Sequence, residues 1–125
     1  PVTSKLPGIL VVEDNRDNMT VINAILKDNF RVWNAFNGED GYHMAKDHIP
    51  DMILLDMSLP GMDGLSVVQY LKKNPSTSEI PVIAVSARAM KADIEAFLKG
   101  GCNDCVTKPI DVDELLGKIK KWVNN

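Results

Sequence analysis

The feature that most constrains the fold of this chain is a regular alternation between short apolar runs and longer segments with helical spacing. Three of the runs, at residues 9–12, 52–55 and 82–85, consist of aliphatic side chains with no charged residue. Two weaker runs occupy residues 31–35 and 103–107. Unbroken apolar runs of this length are typical of strands that are buried on both faces of a parallel sheet. We therefore predict five strands.

The segments between the runs have apolar residues three or four positions apart, which indicates amphipathic helices. The apolar stripes are Met19, Val21, Ile22, Ile25 and Leu26; Leu65, Val68 and Leu71; Met90, Ile94, Phe97 and Leu98; and Val112, Leu115, Leu116, Ile119 and Val123. Residues 38–48 form a further predicted helix with Asn37 as its N-cap. Asp111, followed three residues later by Glu114, is typical of a helix start.

Five repeats of strand and helix predict an α/β fold with a doubly wound parallel sheet, helices on both faces and right-handed crossovers. The 125 residues are enough for one domain and too few for two. We expect residues 1–7 to be an arm or linker and residues 8–125 to be the domain. Because the chain begins at Pro1 rather than at methionine, we expect a processed protein or a piece of a longer one.

Charge and composition exclude several functional classes. The formal net charge of −3 provides no basic field for nucleic acid or for an anionic membrane surface. No apolar run approaches the roughly 20 residues of a membrane helix, and two cysteines do not make a disulfide framework. We expect a cytoplasmic protein without nucleic-acid partners and without direct membrane contact.

Polar residues that can carry chemistry stand at the ends of the predicted strands. They are Glu13, Asp14, Asp56, Ser86 and Lys108. Because the carboxyl ends of parallel strands meet at one edge of a sheet, these side chains should converge there. Three carboxylates repel one another unless a cation neutralises them, and a hard divalent cation such as Mg²⁺ (Mn²⁺ is possible) prefers oxygen ligands. Carboxylates, a metal ion, a lysine and a hydroxyl together favour phosphoryl transfer.

Four ordered motifs resemble the receiver-domain signature of two-component signalling. They are Glu13-Asp14, the run from Asp56 to Gly64 (DMSLPGMDG), Val85-Ser86-Ala87 and Lys108-Pro109. The resemblance covers nearly the whole chain after residue 7. It implies a single flavodoxin-like (βα)5 domain whose strands are ordered 2-1-3-4-5.

The resemblance also implies a role for each site residue. Asp56 would be the phosphoacceptor, and Asp14, Asp56 and the backbone carbonyl of Ser58 would bind Mg²⁺ directly, with Glu13 acting through a metal-bound water. Lys108 and the switch residues Ser86 and Ala87 would bind the phosphoryl group. Loop geometry would depend on Pro60, Gly61 and Pro109, the last through a Lys108–Pro109 bond that is often cis in this family.

One position departs from the family pattern. An aromatic residue usually stands three positions before the lysine, and here that position is Cys105. A cysteine cannot reproduce the movement of a ring, although the phosphorylation chemistry does not depend on it. Cys102 and Cys105 have the C-x-x-C spacing of redox and metal sites, but a strand rather than a helix follows, so we predict buried structural thiols.

The remaining polar and methionine positions have ordinary interpretations. We predict that His43 and His48 lie at or near the surface of their helix, and that Met44 and Met90 fill core or helix-contact space. Arg88 is either an exposed loop charge or a residue that shapes the access of water to an acyl phosphate.

The function implied by the resemblance is that of a signalling switch. A histidine kinase or histidine phosphotransfer protein would phosphorylate Asp56, and the surface formed by the fourth helix, the fifth strand and the fifth helix would then change. The chain would be a stand-alone regulator or the receiver part of a hybrid histidine kinase, with only self-phosphorylation and slow autodephosphorylation as its own chemistry. Two alternatives are a haloacid-dehalogenase-type phosphatase and a docking module that is never phosphorylated. The phosphatase requires a second aspartate two residues after the nucleophile, where Ser58 stands.

Overall fold

Five strands alternate with five helices along the chain. The computed structural model describes residues 6–59, 61–88 and 90–123. The predicted site residue Pro60, most of the predicted arm (residues 1–5) and residues 124–125 lie outside the described ranges. The elements are β1 (Gly8–Val12), α1 (Arg16–Leu26), β2 (Arg31–Ala35), α2 (Gly38–His48), β3 (Met52–Asp56), α3 (Gly64–Lys73), β4 (Val82–Ser86), α4 (Lys91–Lys99), β5 (Asp104–Thr107) and α5 (Val112–Val123).

All five strands pair in parallel in the order β2-β1-β3-β4-β5. The register pairs Val12 with Leu55, Asp56 with Val85, and Ser86 with Thr107. The carboxyl ends of β1, β3, β4 and β5 therefore lie side by side at one edge of the sheet. The single-domain flavodoxin-like fold and its strand order are confirmed.

The core consists of one apolar layer on each face of the sheet. Alternate residues of β1 enter different layers: Leu10 and Val12 contact the layer beneath α2, α3 and α4, whereas Ile9 and Val11 contact the layer beneath α1 and α5. Every residue of β1, β3 and β4 is buried. Burial on both faces is the reason that these strands lack the alternation of polar and apolar residues.

Side chains satisfy the free backbone amides at the starts of four helices. Asn15, Asn37, Asp63 and Asp111 each accept a hydrogen bond from the amide three residues ahead, at 2.8–2.9 Å. Asn37 is thus the N-cap predicted for residues 38–48. Such caps stabilise a helix by about 1 kcal/mol each.

None of the described helices has the length and apolar character that a membrane span requires.

Four members of the predicted apolar stripes are exposed: Met90, Val21, Leu98 at 46% and Val112 at 47%. Met90 was expected to fill core or helix-contact space, yet it is the N-cap residue of α4 and 72% exposed, because the helix begins only at Lys91. Val21 is 54% exposed because Met19, Ile22 and Leu26 form the buried face of α1 and Val21 lies outside it. The expectations for three further residues hold: Met44 packs against the core, and His43 and His48 are exposed.

Cys102 and Cys105 are free and buried, as predicted for structural thiols. Burial raises the pKa of the Cys102 thiol to about 12, and it also raises the pKa of Cys105. The reactive form of cysteine is the thiolate, which such pKa values suppress at neutral pH. The C-x-x-C spacing is therefore a packing feature of this fold.

Polar contacts hold α5 against the edge strand β5. The Nζ of Lys118 donates to the Cys105 carbonyl at 2.5 Å and lies 3.3 Å from Asp104 Oδ1. The indole of Trp122 donates to Asp104 Oδ2 at 3.0 Å. Although burial opposes it, the hydrogen bonds from Trp122 and the Cys105 amide together with the Lys118 charge lower the pKa of Asp104.

We expect Asp104→Asn to change the pH dependence of the protein's free energy of unfolding. A lowered pKa in the folded state means that the ionised carboxylate stabilises the protein above its ordinary pKa, near 3.9, and that this contribution is lost as the pH falls through the folded value. The variant should be less stable than the parent at pH 7, and the difference should shrink towards pH 3, in urea unfolding at both values. Asp113→Asn, at the start of the same helix, is the control. A difference independent of pH would contradict this account.

We expect Gly117→Ala to stabilise the protein. Gly117 lies exposed in the middle of α5, and a Cβ there would meet no atom within 4 Å. Alanine restricts the unfolded chain and favours helix, which is worth about 1 kcal/mol at an exposed position. Thermal or urea unfolding would measure the gain, and an unchanged or lower stability would refute the prediction.

Candidate functional site

The predicted site residues converge at the carboxyl edge of the sheet. Asp56 and Ser86 are the last residues of β3 and β4. Glu13 and Lys108 continue the ladders beyond β1 and β5, since the Glu13 amide donates to the Ala35 carbonyl at 3.0 Å and the Lys108 amide to the Ser86 carbonyl at 2.8 Å. Backbone pairing thus brings together residues that are far apart in the sequence.

Three carboxylates form a tight cluster at this edge. Glu13, Asp14 and Asp56 each offer an oxygen, and these oxygens lie within 4.8 Å of one another. Glu13 is 1% exposed and Asp56 is 3% exposed, whereas Asp14 is open to solvent. Two negative charges are therefore held close together where water can screen them little.

Lys108 provides the positive charge within this cluster. Its Nζ donates a hydrogen bond to Asp56 Oδ2 at 3.3 Å and lies 3.2 Å from Glu13 Oε1. Burial works against the charged amine, but the charges of Asp56 and Glu13 outweigh it and raise the pKa of Lys108. Lys108 therefore carries its positive charge at neutral pH. The Lys108–Pro109 bond is cis, as the resemblance implied.

Glu13 is incompletely satisfied by its protein neighbours. Its Oε2 accepts a hydrogen bond from the Asn15 amide at 3.1 Å, but Oε1 is buried without a hydrogen-bond partner among the described residues, despite the nearby Lys108 charge. Burial, followed by the charge of Asp56, raises the pKa of Glu13, although the Asn15 bond opposes the rise. Buried carboxylate oxygens without partners are rare unless a ligand completes the site.

This donor set fits a hard divalent cation. One ammonium faces three carboxylates, so two formal negative charges remain at the site. All the available donors are oxygens, which Mg²⁺ and Mn²⁺ prefer, and no imidazole or thiolate is in the cluster. Asp14, Asp56 and Glu13 are the side chains that could hold the ion.

The loop between β3 and α3 folds back on Asp56. The Ser58 amide donates to Asp56 Oδ1 at 2.9 Å, so this loop fixes the orientation of the carboxylate. Gly61 has φ +77°, a left-handed conformation that favours glycine. Asp63 ends the loop as the N-cap of α3. Ser58 and Gly61 thus stand where the sequence placed them, in the loop that follows the phosphoacceptor candidate.

Ser86 lies on the other side of Asp56, facing α4. It is buried, and its Oγ accepts a hydrogen bond from the Arg88 amide at 2.9 Å, while Ala87 and Arg88 are exposed. A cleft of about 400 Å³ separates α3 from α4 next to it, lined in part by Ser58, Ser86, Arg88 and Asp93. Asp93 could not be identified from the sequence as a residue beside the site, because a single acid in the first turn of a helix does not indicate what it faces in the fold.

Cys105 does not reach this edge. It is buried in the apolar layer beneath α2, α3 and α4, and its carbonyl accepts from Lys118. The position where the family pattern has an aromatic ring is therefore filled here by a small side chain inside the core.

Several known proteins are similar to this chain in sequence and in fold. The model of the response regulator receiver domain family matches residues 9–120. The polar-differentiation response regulator DivK of Brucella anthropi is 36% identical over 119 residues, covering 94% of this chain and 97% of DivK.

Two solved structures extend the comparison. The receiver domain of the sensor histidine kinase PA1611 from Pseudomonas aeruginosa PAO1, solved with a magnesium ion in its active-site cleft, is 34% identical with a TM-score of 0.89, covering 96% of this chain and 99% of that one. A putative response regulator from Chloroflexus aurantiacus has a TM-score of 0.92 at 24% identity, covering 97% of this chain and all of that one, and it supports the fold alone. This chain therefore belongs to the response regulator receiver domain family of two-component signalling.

Proposed function

We propose that Asp56 accepts a phosphoryl group from a phosphohistidine of a histidine kinase or a histidine phosphotransfer protein. The observation that carries the proposal is the buried Asp56 carboxylate, hydrogen-bonded to Lys108 and clustered with two further carboxylates at the sheet edge. A carboxylate oxygen attacks phosphorus, the phosphorus–nitrogen bond breaks, and its electron pair returns to the imidazole. The product is an acyl phosphate on Asp56 and a free histidine on the donor.

We further propose that Asp14, Asp56 and the Ser58 carbonyl hold Mg²⁺, with Glu13 acting through a bound water. When present, the ion would neutralise charge shared by the carboxylates and the phosphoryl group. Support comes from the all-oxygen donor set and from Glu13 Oε1, which forms no hydrogen bond to the described residues although the Lys108 charge lies 3.2 Å away. The PA1611 receiver domain, a relative at 34% identity, holds magnesium in its active-site cleft. Lys108, fixed as a cation, would pair with the phosphoryl oxygens.

Ser86 would act as the switch residue, with Ala87 beside it. Its hydroxyl is buried at the end of β4, next to the cleft that leads to α4. In α4, Phe97 is buried and Ile94 is half-buried against the same apolar layer, so this helix buries fewer apolar side chains than α3, which buries Val67, Val68 and Leu71. Attraction of the Ser86 hydroxyl to a phosphoryl group would bias the surface formed by α4, β5 and α5. Because position 105 holds a small cysteine side chain, any such change would occur without movement of a ring at this position.

The partners would be cytoplasmic histidine kinases or histidine phosphotransfer proteins that carry a phosphohistidine. The relatives include a response regulator, DivK, and a receiver domain of a sensor histidine kinase. Both a stand-alone regulator and the receiver part of a hybrid kinase are consistent with this family. In either form the domain's own chemistry would be limited to taking the phosphoryl group and slowly losing it to water, without turnover of a small substrate.

We expect Asp56→Asn to abolish labelling. An amide is too weak a nucleophile to form a stable acyl phosphate, so a small-molecule phosphodonor with Mg²⁺ should label the parent and leave the variant unlabelled in intact-protein mass spectrometry. Asp47→Asn, an exposed acid on α2, is the matched control and should label normally. Circular dichroism would show that both variants are folded. Undiminished labelling of Asp56→Asn would rule out this residue as the phosphoacceptor.

We expect Ser86→Ala to separate phosphorylation from the conformational response. The nucleophile and Lys108 remain, so Asp56 should still be labelled. Because the hydroxyl that would follow the phosphoryl group is missing, amide chemical-shift changes in α4 and α5 on phosphorylation should be at most about half of those in the parent. Ser66→Ala, on α3, is the control. Equal shift changes in Ser86→Ala and the parent would exclude the switch role.

A further inference from the structure

Two glycines approach the connection between Asp56 and α3 closely, Gly64 at Met57 and Gly38 at Met62. This loop carries Ser58, the proposed carbonyl ligand of the metal. The inference drawn here rests on the proposed function of these residues. It concerns Gly38, which lies on a different helix and belongs to none of the four motifs at the sheet edge.

The first close approach is at the beginning of the loop. Gly64, at the start of α3, lies so close to Met57 that a Cβ there would be 2.7 Å from the Met57 Cα and 3.1 Å from the Asp56 carbonyl oxygen. Both are backbone atoms, which cannot move without moving the chain. The first turn of α3 is therefore in close backbone contact with Met57, the residue that follows Asp56.

The second close approach is at the end of the loop. A Cβ on Gly38, the first residue of α2, would lie 3.0 Å from the Met62 carbonyl oxygen and 2.7 Å from Cγ2 of Val67. The φ angle of Gly38 is outside the left-handed region, so any residue could adopt its conformation. Asn37 already caps the helix. What the glycine provides is the absence of a side chain where α2 meets the loop.

We infer that Gly38 is a positioning residue for the phosphorylation site. A side chain at Gly38 would push against Met62, and α3 cannot yield freely because Gly64 is locked against Met57 and Asp63 caps the helix. The displacement would then be transmitted back along the chain from Met62 towards Ser58. Since the Ser58 amide orients Asp56 through a 2.9 Å hydrogen bond, the carboxylate would shift with it. Gly38 thus acts on the site through the loop, without touching it.

The test is a titration of the parent and of Gly38→Ala with Mg²⁺ alone, in which amide chemical shifts report the binding. Changes in groups that support a metal's ligands commonly weaken binding 10–100-fold, so we expect the Kd for Mg²⁺ to rise at least about fivefold. Gly8→Ala is the matched control: its Cβ would clash with the Trp33 ring at 2.5 Å at the opposite end of the sheet. It should lose stability and keep the parent's Mg²⁺ affinity.

A second pair of variants covers the case in which Gly38→Ala does not fold. Val67→Ala removes the 2.7 Å clash but leaves the contact with the Met62 carbonyl, so the double variant Gly38→Ala/Val67→Ala should fold and still bind Mg²⁺ more weakly than Val67→Ala alone. Equal affinities within the folded pair would overturn the inference while leaving the proposed function intact. If the parent itself shows no Mg²⁺-dependent shifts at Glu13, Asp14 and Asp56, the proposed metal site fails first, and the inference fails with it.

Discussion

Electrostatic compensation between Lys108 and the buried carboxylates of Glu13 and Asp56 is the interaction on which the rest of this structure depends. Two carboxylates within a few ångströms of each other in a poorly hydrated position would destabilise the fold by several kcal/mol if left unpaired. The ammonium within 3.3 Å of both makes their burial possible. It can do so only because β5 continues into Lys108 at the same edge where β1 and β3 end. The strand order is thus a requirement of the charge arrangement, and the residual negative charge defines what the site can bind.

Around this charged centre, the structure separates rigid support from a loosely held side. On the rigid side, α2 and α3 approach the loop after Asp56 at glycines, with backbone atoms in close contact. On the loose side, the cleft beside Ser86 separates α3 from an α4 that buries one residue. The proposed function, in which Asp56 is held in place while the surface changes, would benefit from this division, because packed interfaces resist deformation whereas sparsely packed elements open at low cost. Cys105 lies inside the core, and its small side chain would leave the proposed response to the helix itself.

Local patterns predicted the elements well because the spacing of apolar residues within a short segment indicates both its secondary structure and the faces that it buries. The aliphatic runs identified β1, β3 and β4, and Asn37 marked the start of α2. The same patterns failed for Met90 and Val21, because spacing shows that a helix has an apolar face but not where the helix begins or how wide that face is. Of the site, the residue identities and their placement at strand ends were predictable. The strand order and the individual roles came from family resemblance.

The sequence by itself determined the alternating elements, the caps and the set of oxygen donors and lysine at strand ends, since each of these depends on residues within a few positions of one another. Only the tertiary structure decided that Glu13 Oε1 faces Lys108 without a hydrogen bond from the described residues, that Asp104 binds Lys118 and Trp122, and that Gly38 faces the Met62 carbonyl. Each of these contacts joins different elements, whose spacing is set by how the helices pack on the sheet. No local pattern encodes that distance, so a glycine at a helix start looks the same in the sequence whether or not a backbone passes 3.0 Å away from where its side chain would be.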